Sequence, residues 1–154
     1  MSQADCEPVV VLEEIFPGDT NPYGTAFGGK ILALMDRAAG LAASRYAKKL
    51  FVTASLDAMD FRVPVRQGQI AKVCAEVVYT STHTVGVDVT VSAVDKTEWV
   101  PRPCARGLFF MVAIDQDGRP LEVPKLRPRT REQKKRWEEA ATVHKRMLAR
   151  RRTV

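Results

Sequence analysis

The spacing of hydrophobic and polar residues changes character twice along the chain. A short apolar run at residues 9–12, closed by Pro17 and Gly18, predicts a first strand. Residues 19–29 are rich in Asn, Pro and Gly, which predicts a loop. Residues 30–49 are good helix formers, and their apolar positions run most of the way around a helical projection. This segment is therefore predicted to be one long helix that is buried on more than one side.

After this segment, hydrophobic and polar residues no longer recur at helical spacing and instead alternate along the chain, as they do in β-strands. Four long runs are rich in Val, Thr and aromatic residues, and they lie at residues 52–61, 69–80, 84–95 and 104–114. Because the connections between the middle runs are short, an antiparallel sheet is favoured over a doubly wound α/β fold, which needs a helix between each pair of strands. The pattern predicts an α+β fold in which a curved antiparallel sheet wraps around a long central helix.

The last part of the chain has a different composition. An Asp-Gly pair followed by the proline-rich residues 119–128 predicts a turn and an extended segment. Thr130 can cap a final helix over residues 131–150, which carries a thin apolar stripe. The sequence therefore predicts one domain at residues 1–126 and a basic helical extension at residues 127–154.

The net charge of +6 is distributed unevenly. Residues 125–152 hold twelve Lys or Arg and three Glu, a net charge of +9, whereas the rest of the chain carries −3. A basic tail can bind nucleic acid, acidic lipid or a phosphorylated ligand, but a charge run is more often a solvated helix face. Trp137 is the only aromatic residue placed between these Lys and Arg residues, and no nucleic-acid-binding motif is recognisable. No nucleic-acid partner is therefore expected.

Composition sets further limits on the class of protein. No run approaches the roughly 18 consecutive apolar residues that a membrane-spanning helix needs. Residues 1–7 lack the apolar core of a signal peptide, so a cytoplasmic location is expected. The three cysteines, Cys6, Cys74 and Cys104, lack C-x-x-C spacing, which argues against a disulfide framework and a zinc site. Neither a metal nor a cofactor is expected.

Asp36 lies in the most apolar stretch of the chain. Burial of a carboxylate there is costly unless the group is paired or used, and desolvation would raise its pKa. A carboxylate of this kind can serve as a general base or a nucleophile. The alternatives are an ion pair with the neighbouring Arg37 and a position on an exposed face of the helix.

The loop before the same helix offers hydrogen-bond donors. Asn21 and the pair Gly28 and Gly29 precede the predicted helix, and backbone N–H groups at a helix N-terminus are unpaired. Glycine amides there can bind a carbonyl oxygen or an oxyanion, although the pair is also compatible with a plain turn. His83 and His144 lie in a predicted turn and in the tail, so neither provides a convincing base for a Ser-His-Asp or Cys-His triad.

These residues resemble a known family. The sequence N-P-Y-G-T-A-F-G-G at residues 21–29, followed by M-D at residues 35–36, is similar to the signature of hotdog acyl-CoA thioesterases. This is the group that contains the cytosolic long-chain hydrolases. Later parts of the family pattern resemble residues 52–55, 60–68, 79–81 and 121–126. The similarity extends from about residue 9 over nearly the whole chain.

The resemblance implies a single hotdog domain in an enzyme that hydrolyses acyl-CoA to a free fatty acid and coenzyme A. It also implies homodimers that assemble into hexamers, with Asn21 and Asp36 from different subunits flanking the thioester. Asp36 would activate water or attack the carbonyl, and Asn21 would position the water or polarise the thioester. The amides of Gly28 and Gly29 would hold the oxyanion. Phe27 stands where some members have His. Related dehydratases use a loop histidine as acid/base, and this loop has none.

Substrate binding is expected to combine charge at the phosphates with apolar contacts along the acyl chain. The candidate contacts are Phe27, Arg62, Arg66, Thr80, Ser81 and Thr82, and each polar one is also compatible with a solvated strand edge. Arg127, Arg129 and Arg131 are candidates for contacting the nucleotide of a neighbouring subunit. A non-catalytic hotdog module that binds acyl-CoA is the alternative to an enzyme.

Overall fold

The computed structural model describes residues 6–152; residues 1–5, on which much of the signal-peptide expectation depends, lie outside this range. In chain order the elements are β1 (Val9–Glu14), a 3-10 turn (Pro17–Asp19), α1 (Gly28–Ala47), β2 (Leu50–Phe61), β3 (Ile70–Thr80), β4 (Thr84–Val94), β5 (Pro101–Ile114) and α2 (Arg131–Arg151). The predicted order of one strand, one helix, four strands and a final helix is confirmed.

The five strands form one antiparallel sheet in the order β1-β3-β4-β5-β2. A flat sheet of five strands would be roughly 19 Å wide, whereas a helix has a diameter of only about 10 Å. Because α1 nevertheless contacts all five strands, the sheet curves around it. Alternate strand residues such as Val87, Val89 and Phe109 form the main core with α1. The predicted α+β architecture is confirmed.

α1 buries one face rather than several. Its buried residues recur at helical spacing and are Ile31, Leu34, Met35, Ala38, Ala39, Ala42, Ala43, Tyr46 and Ala47. The opposite stripe carries Ala33, Asp36, Arg37 and Leu41, which are exposed. The expectation of burial on more than one side is therefore wrong for the isolated chain, because Ala33 and Leu41 add apolar character without touching the sheet.

α2 packs against the other face of the sheet. Its buried residues Ala140, Val143 and Met147 form a second cluster with Val78, Tyr79, Leu108 and Phe110. The predicted cap is confirmed, since Thr130 Oγ1 accepts from Gln133 N–H at 3.1 Å and Gln133 Oε1 accepts from Thr130 N–H at 3.1 Å. The basic segment is thus a docked helix with a charged outer face. Neither α1 nor α2 has the length and hydrophobicity needed to cross a membrane.

β2 is an edge strand that pairs only with β5 among the described strands. Its register against β5 shifts twice, once after Thr53 and again after Asp57. Ala58, in the second shift, has a φ of 52°. Such bulges bend a strand and are frequent beside functional sites. The first one adjoins the site described below.

Candidate active site

Asn21 is fixed by its own loop. Its Oδ1 accepts hydrogen bonds from Tyr23 N–H at 3.0 Å and from Thr25 N–H at 3.2 Å. Its Nδ2 donates to Thr25 Oγ1 at 2.9 Å. This arrangement is an Asx turn, which holds the side chain in one orientation. One Nδ2 hydrogen has no acceptor among residues 6–152, so the half-buried amide can still donate to a ligand.

Gly28 and Gly29 form the first turn of α1 rather than preceding it. The N-cap position is held by Phe27, whose side chain cannot accept a hydrogen bond from the helix amides. Lys30 N–H and Ile31 N–H bond to Phe27 O, which leaves the two glycine N–H groups for an external acceptor. A Cβ on Gly29 would lie 2.9 Å from Phe27 Cε2, so glycine also leaves room for that ring.

Asp36 is exposed in the isolated chain. Burial is therefore wrong for a single protomer, and the alternative of a position on an exposed helix face is confirmed, because Asp36 lies on the outer stripe of α1. Its neighbour Arg37 does not pair with it and instead approaches Glu13 at 3.9 Å. The partner of Asp36 Oδ1 is the hydroxyl of Thr53, on β2. Sequence reasoning missed Thr53, although it lies in the block at residues 52–55 that carried part of the resemblance.

Asp36 and the glycine amides of one chain cannot meet at one reacting carbon. Gly28 and Asp36 are eight residues apart on α1, which corresponds to about 12 Å along the helix axis. A nucleophile or base and an oxyanion donor must both lie about 3 Å from the reacting group. Asp36 from one chain and Gly28 from another are therefore required if both act on the same bond.

The remaining predicted contacts are distributed over several surfaces. Arg62 is exposed, and its Nε donates to Asp60 Oδ2 at 2.9 Å. Thr80 is only 6% exposed, and its Oγ1 accepts from Leu126 N–H at 3.0 Å, so it fixes the segment after β5 to the sheet. Ser81 is half-buried and Thr82 is exposed in the β3–β4 turn. The structure brings Arg62 near the glycines, but it does not bring the three hydroxyl residues there.

A cavity of about 330 Å³ opens beside the first turn of α1. Its lining is mainly apolar and includes Gly28, Ile31, Phe61, Arg62, Val65 and Cys104. A Cβ on Gly28 would lie 4.0 Å from Phe61 Cζ, so this ring borders the glycine amides. Phe27 and Phe61 are both partly exposed. The cavity combines an apolar wall, the Arg62 cation and the backbone amide of Gly28, which suits an acyl thioester.

A larger groove of about 940 Å³ lies between β3 and the segment that leads into α2. Arg127 and Arg129 line it together with Lys125 and Arg136, whereas Arg131 is not among its lining residues. Arg136 Nη1 already bonds Glu76 Oε2 at 2.8 Å. This groove is separate from the cavity at Gly28, so the predicted nucleotide contacts and the predicted reaction site do not lie in one pocket of a single chain.

The other reactive groups do not form a second centre. His144 is buried with its Nδ1 3.1 Å from Tyr79 Oη, and burial, followed by the charge of Arg151, lowers its pKa. Cys104 is buried, and that burial raises the pKa of its thiol. Within residues 6–152 no three His, Cys, Asp or Glu side chains are grouped as metal ligands would be.

Comparison with known proteins relates these features to enzymes. The sequence profile of the thioesterase superfamily matches residues 23–100. The cytosolic acyl coenzyme A thioester hydrolase of Rattus norvegicus is 36% identical over 138 residues, which cover 88% of this chain and 36% of that protein. An uncharacterized acyl-CoA thioester hydrolase of Bacillus subtilis is 35% identical over 127 residues, covering 81% of this chain and 73% of that protein. The match thus spans about a third of the length of the cytosolic thioester hydrolases of rat, mouse and human.

Solved structures share the fold along nearly the full length. The acyl-CoA hydrolase of Bacillus cereus has a TM-score of 0.87 and 32% identity, covering 95% of this chain and 89% of that one. The Staphylococcus aureus acyl-CoA hydrolase in complex with butyryl coenzyme A has a TM-score of 0.84 and 32% identity, covering 94% and 88%. A hexameric acyl-CoA thioesterase has a TM-score of 0.86 and 31% identity, covering 93% and 92%. The predicted hotdog fold is confirmed.

The Staphylococcus aureus enzyme offers one further comparison. Its solved variants include alanine replacements of one Asn, one Asp and one Thr. In that sequence the Asp follows the Asn by fifteen positions, and the Thr follows the Asp by seventeen. Asn21, Asp36 and Thr53 have the same spacing in this chain.

Proposed function

Because this chain belongs to the thioesterase superfamily, we propose that it hydrolyses acyl-CoA thioesters to a free fatty acid and coenzyme A. The observation that carries the proposal is the Asp36 carboxylate, which accepts a hydrogen bond from Thr53 and faces outward on α1. A carboxylate held in this way has a fixed orientation and an open side toward a substrate or water.

The proposed reaction uses groups from two copies of the chain. Asp36 of one copy deprotonates a water molecule that adds to the thioester carbonyl, or attacks that carbonyl itself to form a mixed anhydride that water then hydrolyses. In either route the C–S bond breaks, the acyl group is released as the fatty acid, and coenzyme A leaves as a thiolate that takes up a proton. Asn21 of the other copy donates a hydrogen bond that positions the water or polarises the thioester. The N–H groups of Gly28 and Gly29 stabilise the negative charge that develops on the carbonyl oxygen. These groups and water are sufficient for hydrolysis, so the proposal includes no metal and no organic cofactor.

The shared spacing of three residues supports these assignments. The Asn, Asp and Thr replaced in the Staphylococcus aureus hydrolase have counterparts at the same intervals in this chain. Thr53 and Asp36 are in contact here, although seventeen positions separate them. The packing of α1 against β2 thus brings together two residues that are distant in sequence. This contact supports a joint role for Asp36 and Thr53 in the reaction.

Assembly into dimers, and of dimers into hexamers, is part of the proposal. The outer stripe of α1 includes Leu41, which is 51% exposed, and the edge strand β2 exposes Leu50 and Val52. Exposed apolar groups along a helix and an unpaired strand edge are suited to contact with a second copy. Similar structures include hexameric thioesterases. A cytosolic location, which the names of the mammalian relatives state for those proteins, is also proposed.

The first test is hydrolysis of acyl-CoAs from about two to about eighteen carbons, measured by release of free thiol. Wild-type protein should release thiol, and Asp36→Ala should lower kcat at least about 100-fold, which is the loss typical of a missing general base or nucleophile. Asp117→Ala removes an exposed carboxylate in the turn after β5 and should leave kcat unchanged.

Coenzyme A binding, measured by calorimetry, separates the enzyme from a simple binding module. Asp36→Ala should retain coenzyme A affinity, because the carboxylate acts at the thioester rather than at the nucleotide. Wild-type protein that binds acyl-CoA but releases no thiol would contradict the proposed hydrolysis and identify an acyl-CoA-binding module instead.

A further inference from the structure

The two bulges of β2 leave backbone groups outside the β-ladder. Thr53 pairs with Met111 and Ser55 with Phe110, so Ala54 has no partner on β5. The unpaired residue of a bulge keeps a carbonyl that needs another donor or water. The second bulge lies between Asp57 and Asp60, where two residues of β2 stand opposite one residue of β5.

The C-terminal end of α2 supplies one arginine to each bulge. Arg151 donates from its guanidinium to the carbonyl oxygen of Ala54. Arg150 forms an ion pair with Asp57 Oδ2, while Asp57 Oδ1 accepts from Ala58 N–H at 2.8 Å. Charged donors form stronger hydrogen bonds than neutral ones, so each irregular segment is held more firmly than the strand alone would hold it.

The first of these contacts adjoins the proposed reaction site. Ala54 follows Thr53 directly, and the Thr53 hydroxyl donates to Asp36 Oδ1. A shift of the Ala54 peptide would therefore move Thr53 and change the direction in which it holds the carboxylate. Two hydrogen bonds, joined by the peptide bond between Thr53 and Ala54, therefore connect Arg151 to Asp36.

The arginines are carried by a helix that is fixed along its length. Near its start, Arg136 bonds Glu76 at 2.8 Å and Asp88 at 3.2 Å. Farther along, the ring of His144 stacks on Phe110 with centroids 5.1 Å apart. A guanidinium on such a support restrains its acceptor, whereas one on a loose tail would not.

We propose that Arg151 is a positioning residue for acyl-CoA hydrolysis, which holds the first bulge of β2 so that Thr53 keeps Asp36 in its reactive orientation. Arg150 has the corresponding supporting role at the second bulge. The inference rests on the proposed function, because it assigns Asp36 to the reaction. It gives Arg151 a task in catalysis that requires no contact between this arginine and the substrate.

Kinetics provide the first arm of the test. Arg151→Ala should lower kcat about tenfold and leave KM within about twofold, because a displaced carboxylate weakens the transition state more than substrate binding. Arg151→Lys keeps a charged donor and should recover most of the loss. Arg146→Ala removes an exposed arginine from the same helix and is the matched control, with kcat expected to equal that of wild type.

Hydrogen exchange provides the second arm, which does not depend on activity. Backbone amides of residues 53–57 should exchange faster in Arg151→Ala than in Arg146→Ala, while the melting temperatures of the two variants stay alike. Equal kcat in these two variants, or unchanged exchange at residues 53–57, would overturn the proposal. If wild type hydrolysed no acyl-CoA, the proposed function would fail, and the exchange data would still decide whether Arg151 holds the bulge.

Discussion

At the scale of single residues, the Thr53 hydroxyl determines how the Asp36 carboxylate is presented. Asp36 stood out in the sequence because it lies in an apolar stretch. This identified the residue, but it did not reveal which side chains contact it. Burial and an exposed helix face were both left open, and the side chain is exposed. The apolar residues around Asp36 did not decide this, because some of them, such as Ala33 and Leu41, lie on the outer stripe of α1. Thr53 could not be identified from the pattern alone, because strands are rich in threonine and the contact joins two elements.

Removal of the Thr53 hydroxyl should affect catalysis rather than folding. Thr53→Ala should lower kcat about tenfold, because the carboxylate loses the donor that orients it. Thr53→Ser keeps the hydroxyl and should retain most activity. Steady-state kinetics with one acyl-CoA measure both variants, and Thr90→Ala serves as the control because Thr90 is an exposed threonine of β4. Equal kcat values for Thr53→Ala and Thr90→Ala would show that the contact has no role.

At the scale of elements, the strand boundaries depended on neighbours that a sequence does not reveal. β5 begins at Pro101, although Pro101 and Pro103 suggested a turn and a start at residue 104. β2 reaches only as far as the pair between Phe61 and Ala105, so the first residues of β5 have a regular partner strand on one side only. Proline, which has no backbone N–H, is tolerated there because the side of β5 without a partner strand needs no hydrogen-bond donor.

α2 shows a similar division between what was predictable and what was not. Thr130 as a cap and the apolar stripe of residues 131–150 predicted the helix. The structure confirms that α2 starts after Thr130 and that its apolar side is buried. The contacts of Arg150 and Arg151 were not predictable, because a run of arginines at a helix end resembles an ordinary solvated terminus. His144 was treated as a tail residue, but it lies among Tyr79 and Phe110.

The buried His144 makes the docking of α2 sensitive to acid. Burial lowers the pKa of His144 below its ordinary value of 6.5. Well above pH 6.5 the ring is neutral in both folded and unfolded chains, so its contribution to stability is complete. As the pH falls below that value, the unfolded chain takes up the proton more readily, and the free energy of unfolding decreases until the pH passes the lowered pKa.

Urea unfolding at about pH 7.5 and about pH 5.5 measures this effect. Wild type should lose more stability between these conditions than His144→Gln, which has no group to protonate at that position. His83→Gln removes a histidine from the β3–β4 turn and should keep the wild-type response. A loss in His144→Gln as large as that in wild type would show that His144 does not cause it.

At the scale of the whole molecule, the isolated chain holds the parts of the proposed reaction site but does not bring them together. Gly28 and Asp36 are about 12 Å apart along α1. The sequence indicated both the carboxylate and the glycine amides, and its resemblance to a family implied that different subunits contribute to one site. Which surfaces meet could not be derived from periodicity, because an exposed apolar stripe has the same pattern whether it faces solvent or another copy.

Mixed dimers test whether the site is shared. Co-expression of Asn21→Ala with Asp36→Ala should restore about one quarter of wild-type activity, because half of randomly paired dimers are mixed and each holds one intact site. Each variant alone should be nearly inactive. Thiol release per chain is the measurement.

The control is co-expression of wild type with the double variant. Shared sites predict about one quarter of wild-type activity there, since mixed dimers contain no intact site, whereas sites within one chain predict about one half. Recovery of no activity in the first mixture, together with one half in the second, would contradict a shared site.

The outer edge of β2, which has no partner strand among residues 6–152, has a practical consequence for handling this protein. Leu50, Val52 and Phe61 lie exposed on it, and an open strand edge pairs readily with any other strand. When copies of the proposed dimer separate on dilution, each would lose half of the proposed shared site and uncover this exposed apolar edge. Turnover per milligram should therefore fall as stock solutions are diluted, and preparations kept concentrated should outlast dilute ones.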